Sequence, residues 1–251
     1  MTGASPAPAI LIEGLATCYG STRVLTDVTL SVLPGETIGL VGLNGAGKTT
    51  LLKSVLMLVA PSAGTVQLFG ECHRNPASRA QLAYLPERFQ PPGHLTGHDF
   101  IRLTLAFHRR RVSRAAAALR AEELALEPLV LTRPIRSYAK GMVQKLGLLT
   151  TLLTERPLLI LDEPMSGLDP KARTRLKQHL AAYRARGRTI LMSSPIVADH
   201  DALCDRVAVL HQGRLGYVGS PAALRQRQGA ATLEAAFLAE IEGPLLAQAA
   251  P

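Results

Sequence analysis

The chain has no tryptophan, and ten phenylalanines and tyrosines make up its whole 4% aromatic content. Proteins that hold single-stranded nucleic acid stack bases on aromatic rings, so little is available here to build such a surface, and no nucleic-acid partner is expected. Cysteine is equally sparse. Cys18, Cys72 and Cys204 are far apart, show no metal-ligand spacing, and are too few to staple 251 residues. A reducing, cytosolic setting is the simplest expectation. No stretch approaches the ~20 apolar residues of a membrane span. The opening Met-Thr-Gly-Ala-Ser-Pro-Ala-Pro has neither the basic nor the apolar part of a signal peptide. A chain soluble by itself is therefore expected.

Apolar content is not lacking. At 47% hydrophobic residues, the chain can bury a substantial core as one large α/β domain or two small ones. Its net charge of +9 is concentrated in Arg109-Arg110-Arg111, Arg114 and Arg120, and between Lys171 and Arg188. Helical spacing there gives solvated faces as the first reading and an anionic membrane face as the second.

The most informative run is Gly42-Leu43-Asn44-Gly45-Ala46-Gly47-Lys48-Thr49, which follows the apolar stretch Thr37-Ile38-Gly39-Leu40-Val41 and precedes a helical pattern. This is a phosphate-binding P-loop. Its glycines let the backbone wrap an anion so that N–H groups point inward, and the helix behind adds its positive dipole end. Lys48 is placed to reach the β and γ phosphates, and the Thr49 hydroxyl to bind Mg2+. By composition alone such an octet arises in about one chain in a hundred of this length. Only one is present, so one nucleotide module is expected.

Residues 1–8 read as a tail. Short antiparallel strands are expected from Ala9 to Leu33, a helix over Thr49 to Leu58, and strands over Gly64 to Gly70 and Leu82 to Pro86. From Thr96 to about Pro134, Ala, Leu and Arg at helical spacing predict a helical insertion. A helix after Gly141 then leads to a buried strand at Leu158 to Leu161. Beyond it come a helix over Pro170 to about Arg186, a strand over Thr189 to Ser193, a short helix, and a strand over Arg206 to Leu210. Helices alternating with wholly apolar strands imply a parallel sheet covered on both faces. Ser220-Pro221 reads as a helix start.

Two carboxylates, Asp162 and Glu163, follow Leu158-Leu159-Ile160-Leu161 at the edge of the sheet where α/β proteins bind ligands. Beside a P-loop, Asp162 is placed to hold Mg2+ through water and Glu163 to activate an attacking water.

With Pro164 and the run Ser166-Gly167-Leu168-Asp169-Pro170, these acids resemble the Walker B and D-loop of ABC-type ATPases, the ATP-binding subunits of ABC transporters. The resemblance spans about residues 10–225. It implies a P-loop NTPase core with a mixed sheet, an N-terminal antiparallel β subdomain and an α-helical subdomain. The corresponding division is a tail at 1–9, an ATPase domain at 10–228 with the helical part inserted at about 91–142, and a C-terminal helical tail at 229–251. The ATP site so implied comprises Tyr19, stacking on adenine, together with Gly42, Leu43, Asn44, Gly45, Ala46, Gly47, Lys48, Thr49 and Thr50. Glu163 is the implied catalytic residue, and Thr49, Asp162 and Glu87 the implied Mg2+ ligands. Tyr138, Ala139, Lys140, Gly141 and Met142 resemble the signature loop that meets ATP on an opposite subunit, in a form closest to export-type systems, and Asp169 belongs to the D-loop. The implied partners are a membrane permease and a second ATPase subunit, at the cytoplasmic face of the membrane.

Three positions depart from that pattern. The signature serine is Ala139, the switch histidine after the strand Thr189 to Ser193 is Pro195, and the glutamine after Tyr84-Leu85-Pro86 is Glu87. Glu87 keeps an oxygen for Mg2+. Pro195 offers neither donor nor acceptor, and His200 is the nearest histidine. The expectation is normal ATP binding with slow hydrolysis unless a partner supplies what is missing. The alternatives are a regulatory ATP-dependent clamp with little catalysis, or a non-transport ATPase acting on DNA or ribosomes.

Overall fold

In the computed structural model, which describes residues 7–248, β1 (Ile10–Tyr19), β2 (Thr22–Val32) and β3 (Thr37–Val41) lead into α1 (Lys48–Val55). β4 (Ala63–Leu68), β5 (Glu71–Cys72), the single turn α2 (Pro76–Arg79) and β6 (Leu82–Leu85) follow. Then come α3 (Gly97–Phe107), α4 (Arg114–Glu123) and α5 (Lys140–Leu153). The chain continues through β7 (Leu158–Leu161), α6 (Pro170–Ala185), β8 (Thr189–Ser193), α7 (Val197–Leu203), β9 (Arg206–His211) and β10 (Arg214–Gly219). It closes with α8 (Pro221–Gln228) and α9 (Leu233–Gln248).

Two sheets organise these elements. The first is antiparallel with order β2-β1-β4-β5, and the second has order β10-β9-β3-β8-β7-β6, parallel from β9 to β6 with β10 antiparallel at its edge. β3, β7 and β8 are buried on both faces along their whole length, which is why they read as unbroken apolar runs. One face packs Ile38, Leu40 and Ile160 against Leu51, Leu52 and Val55 of α1 and the inner face of the antiparallel sheet. The opposite face carries Leu159, Leu161 and Ile190 against α5 and α6, and the same apolar body extends into α3 and α4 through Ile101, Leu105, Ala117 and Ala121.

Several boundaries differ from the sequence expectation. The N-terminal strands are long, 10 and 11 residues, because register shifts in β1 let the pairing continue past irregular positions. Residues 1–6 of the expected tail lie outside the described residues, but Ala9 is fully buried and its carbonyl accepts the Phe69 N–H at 3.2 Å, so the body already includes it. Helix α1 ends at Val55 rather than Leu58, since Met57 takes a φ of 60° and the Leu58 and Val59 N–H groups turn back to the Lys53 carbonyl. β4 begins and ends slightly early, with Phe69 at a φ of 52° making the turn. β10 has no clear sequence signal. Its Gly216 and Gly219 interrupt any alternation, and it forms because β9 offers it an edge. The expected C-terminal tail is partly core: Leu233, Ala236, Phe237 and Ile241 of α9 pack with Val41, Val207 and Val209. Residues 249–251 of that tail lie outside the described residues.

Candidate functional site

The P-loop begins where β3 leaves the sheet. A Cβ on Gly42 would sit 2.4 Å from the Leu210 carbonyl, and Gly47 takes a φ of 107°, so neither position tolerates a side chain without a shift. The loop is held from the flank by Gly213 N–H to the Ala46 carbonyl at 3.2 Å. Lys48 is 7% exposed, and its Nζ donates to the carbonyls of Gly42 (2.7 Å) and Leu43 (3.1 Å), curling the ammonium over its own loop. Burial lowers its pKa, while Glu163, Asp162 and Glu87 pull it back up. Four residues singled out in the sequence, from the start of α1 and from just beyond β6 and β7, thus act on one another electrostatically.

Asp162 sits on the α1 face of the sheet at the tip of β7, 1% exposed. Its N–H donates to the Leu85 carbonyl (2.9 Å), and its Oδ1 accepts the Ser193 hydroxyl at 2.6 Å. Ser193 Oγ in turn accepts the Glu163 N–H at 2.9 Å. One buried hydroxyl from β8 therefore fixes both carboxylate residues. Asp162 Oδ2 is buried with no hydrogen-bond partner. A carboxylate oxygen aimed into a site without a donor suits a hard cation, and Thr49 and Glu87 are oxygen donors of the same kind. Among the described residues no group of three or more His, Cys, Asp or Glu is gathered as a metal cage. Glu163, at a φ of 49°, has its pKa raised by burial first and by Glu87 next, which makes its carboxylate a stronger base than that of an exposed glutamate.

Sequence reasoning missed Ser193 and Tyr84. Ser193 follows the apolar run Ile190-Leu191-Met192 at the end of β8 beside Leu40, and a polar residue at that tip was its available signal. Tyr84 pairs in register with Ile160, shares the α1 face, and has a buried hydroxyl without a partner; burial, with Asp162 and Glu87, pushes its pKa up.

Tyr19, at the end of β1, is 48% exposed and free to stack on a planar ligand. The signature-like loop lies elsewhere. Tyr138 is anchored inward, its hydroxyl donating to the Val130 carbonyl at 2.6 Å. Ala139 is the N-cap of α5 without a side-chain cap bond, and Ala139 and Lys140 are exposed. Gly141 faces the Gly167 carbonyl at 3.0 Å from where a Cβ would stand, and Gln144 Nε2 donates to the Pro164 carbonyl at 3.2 Å. Asp169 is spent on structure: it caps α6 through Ala172 N–H (2.9 Å) and pairs with Lys145 (2.7 Å), which together hold its pKa down to about 2.

Pro195 is exposed at the start of the loop after β8, and His200 does not replace a histidine there. His200 is fully buried on α7. Its Nε2 donates to the Ser194 carbonyl at 3.2 Å, leaving Nδ1 to accept from Cys204 Sγ at 3.6 Å. Burial holds its pKa down to about 4, so it is a neutral packing residue under β3.

Known proteins share this geometry. Residues 25–166, more than half of the chain, match the family described as ABC transporter. An uncharacterised ABC transporter ATP-binding protein of Nostoc is 37% identical over 202 residues, 78% of this chain and 59% of that protein. The Nod factor export ATP-binding protein I of Paraburkholderia xenovorans is 35% identical over 87% of this chain and 73% of its own. A solved ATP-binding subunit of an ABC transporter superimposes with a TM-score of 0.86 at 32% identity, covering 92% of this chain and 99% of that one. The chain spans 59% and 56% of the length of the first two curated relatives it matches.

Proposed function

Since the chain belongs to the ABC transporter family as one of its ATP-binding proteins, we propose that it hydrolyses ATP to drive a membrane permease of export type, with ATP closing a dimer and hydrolysis opening it. The observation that carries this is the cluster of Lys48 with Asp162, Glu163 and Glu87 at one sheet edge. The backbone N–H groups of Gly42 to Gly47 hold the phosphates, Lys48 turns from its loop carbonyls to the β and γ phosphates, and Tyr19 stacks on the base. Thr49, Asp162 and Glu87 would hold Mg2+, which supplies charge neutralisation on the transferring phosphoryl group. Glu163 takes the proton of a water as its oxygen bonds to the γ phosphorus and the bond to ADP breaks. Product is ADP and inorganic phosphate.

Tyr138 to Met142 face a second subunit in this reading. The exposed start of α5 presents backbone N–H groups to the partner's γ-phosphate, with Ala139 contributing no hydroxyl. Pro195 and Ala139 each remove a contact to a charged phosphate, worth about 1.5–3 kcal/mol. Felt only in the transition state, one such loss slows turnover about ten- to a hundredfold. The neutral, enclosed His200 favours a second reading, a clamp that binds ATP and turns over weakly alone. Export is supported by the relative named for Nod factor export. No helix among the described residues is long and apolar enough to cross a membrane, in keeping with a peripheral subunit that needs a separate permease.

ATPase rate with and without a co-expressed membrane partner tests the assignment. Stimulation by the partner, lost in Glu163→Gln, is expected. Rapid turnover by the chain alone that Glu163→Gln abolishes would overturn weak intrinsic hydrolysis, and co-purification with ribosomes or DNA instead of a membrane protein would overturn transport.

A further inference from the structure

Between α3 and α4 lies a cavity of about 750 Å3 that the ATP site does not use. Its lining combines the almost wholly buried Ile101 and Leu105 and the half-buried Val112 with Arg102, Arg109, Arg110, Arg111 and Arg114. Two of these arginines are neutralised, Arg102 by Asp99 at 3.0 Å and Arg110 by Glu155 at 2.7 Å. Arg109, Arg111 and Arg114 are exposed and make no ion pair among the described residues. Phe107, 80% exposed, is the last residue of α3, two before Arg109, and is not itself a lining residue of the cavity.

We propose that this groove binds the phosphate headgroup of an anionic membrane phospholipid, the three unpaired arginines holding the phosphate while Val112 and the exposed Phe107 at the end of α3 take the glycerol and upper acyl region. Charge complementarity decides the sign of the ligand. A free phosphate would need the cations alone; an exposed phenylalanine two residues from an unpaired arginine is the pairing found at membrane interfaces. This inference rests on the membrane-peripheral reading above for its biological sense, yet it can be tested on the chain alone.

The experiment is co-sedimentation with vesicles of phosphatidylglycerol mixed into phosphatidylcholine, against pure phosphatidylcholine. Binding to the anionic vesicles only is expected, with strong weakening in 1 M NaCl, where screening shortens to about 3 Å. Each arginine near an anionic surface is worth about fivefold in affinity, so replacing Arg109, Arg111 and Arg114 together by Gln should weaken binding on the order of a hundredfold. A control replacing the exposed Arg74, Arg186 and Arg214 by Gln makes the same change in net charge outside the groove and should retain most of the binding. Equal loss in both variants, or full binding by the groove variant, would overturn the proposal. So would displacement by sodium phosphate at an ionic strength where NaCl has no effect, which would identify free phosphate as the ligand. A chain that binds vesicles through the groove but never associates with a permease keeps this inference and removes the transport assignment. The converse result does the opposite.

Discussion

Removing the Ser193 hydroxyl should damage the site more than its position, off the P-loop and the acidic tip, suggests. Ser193→Ala deletes the 2.6 Å donor to Asp162 Oδ1 and the 2.9 Å acceptor of the Glu163 N–H in one step. Asp162 is 1% exposed and Ser193 fully buried, so solvent does not replace either bond readily. A hydrogen bond to a charged group contributes about 1.5–3 kcal/mol, and the stranded N–H adds to the loss, so about 2–4 kcal/mol is expected. At about 2–4 °C per kcal/mol for a chain of this size, the melting temperature should fall by roughly 4–16 °C. Because Asp162 and Glu163 lose their common anchor, kcat should also fall about ten- to a hundredfold. Binding of ATP without Mg2+, which rests on the loop backbone and Lys48, should change little. Ser193→Cys, a weaker donor of similar size, should fall between. Calorimetry, nucleotide titration with and without Mg2+, and steady-state turnover read the three effects separately. A variant that melts within 2 °C of the parent, a loss of ~1 kcal/mol or less, and turns over normally would refute the view that this hydroxyl organises the acidic pair.

Other perturbations follow from the same geometry. Pro195→His restores a donor at the loop after β8 and should raise ATPase turnover about tenfold or more; no change would place the bottleneck elsewhere. His200 has a folded pKa of about 4 against 6.5 for an ordinary histidine, so the unfolded chain binds the proton first. Its contribution is therefore fully present above pH 6.5 and is lost as pH falls toward 4, by about 3 kcal/mol over that window. Because His73, His98 and His108 are shifted the same way, the test is whether His200→Gln flattens the acid limb of a denaturation series relative to the parent. Gly39→Ala would place a Cβ 2.1 Å from His200 Nδ1 and 2.9 Å from Cys204 Sγ, costing about 2 kcal/mol or more by overpacking. His200→Ala in the same chain should recover part of that cost, and strict additivity would show that the two positions do not compete for space.

The sequence told most about groups whose chemistry depends on spacing along one segment. The P-loop is a local device: its glycines, lysine and threonine act where they stand, and the strand before and helix after are readable from apolar pattern. Asp162 and Glu163 were legible for the same reason, as acids closing a buried strand. Ser193 was not, because its importance comes from β8 lying between β3 and β7, an order set by sheet topology and not by chain order. His200, five residues past the expected switch position and read as lying on the next helix, is on α7, where packing puts it under Gly39, buried and neutral. Tyr138 likewise reads as part of a ligand-facing loop, yet its hydroxyl is spent on Val130. β10 was illegible because glycines break its pattern and an existing edge recruits it.

The uncapped start of α5 makes the order of that helix depend on what arrives there. Thr96, Ser113, Asp169 and Ser220 each close the first turn of their own helix with a side-chain oxygen, while Ala139 does not. A missing cap leaves a helix start about 1 kcal/mol short. A phosphate borne by another subunit would make up that deficit by accepting from the same N–H groups. In a dimer, assembly would then complete a piece of secondary structure, and amide exchange at Lys140 and Gly141 would become a local clock for how much of the time the two subunits are closed.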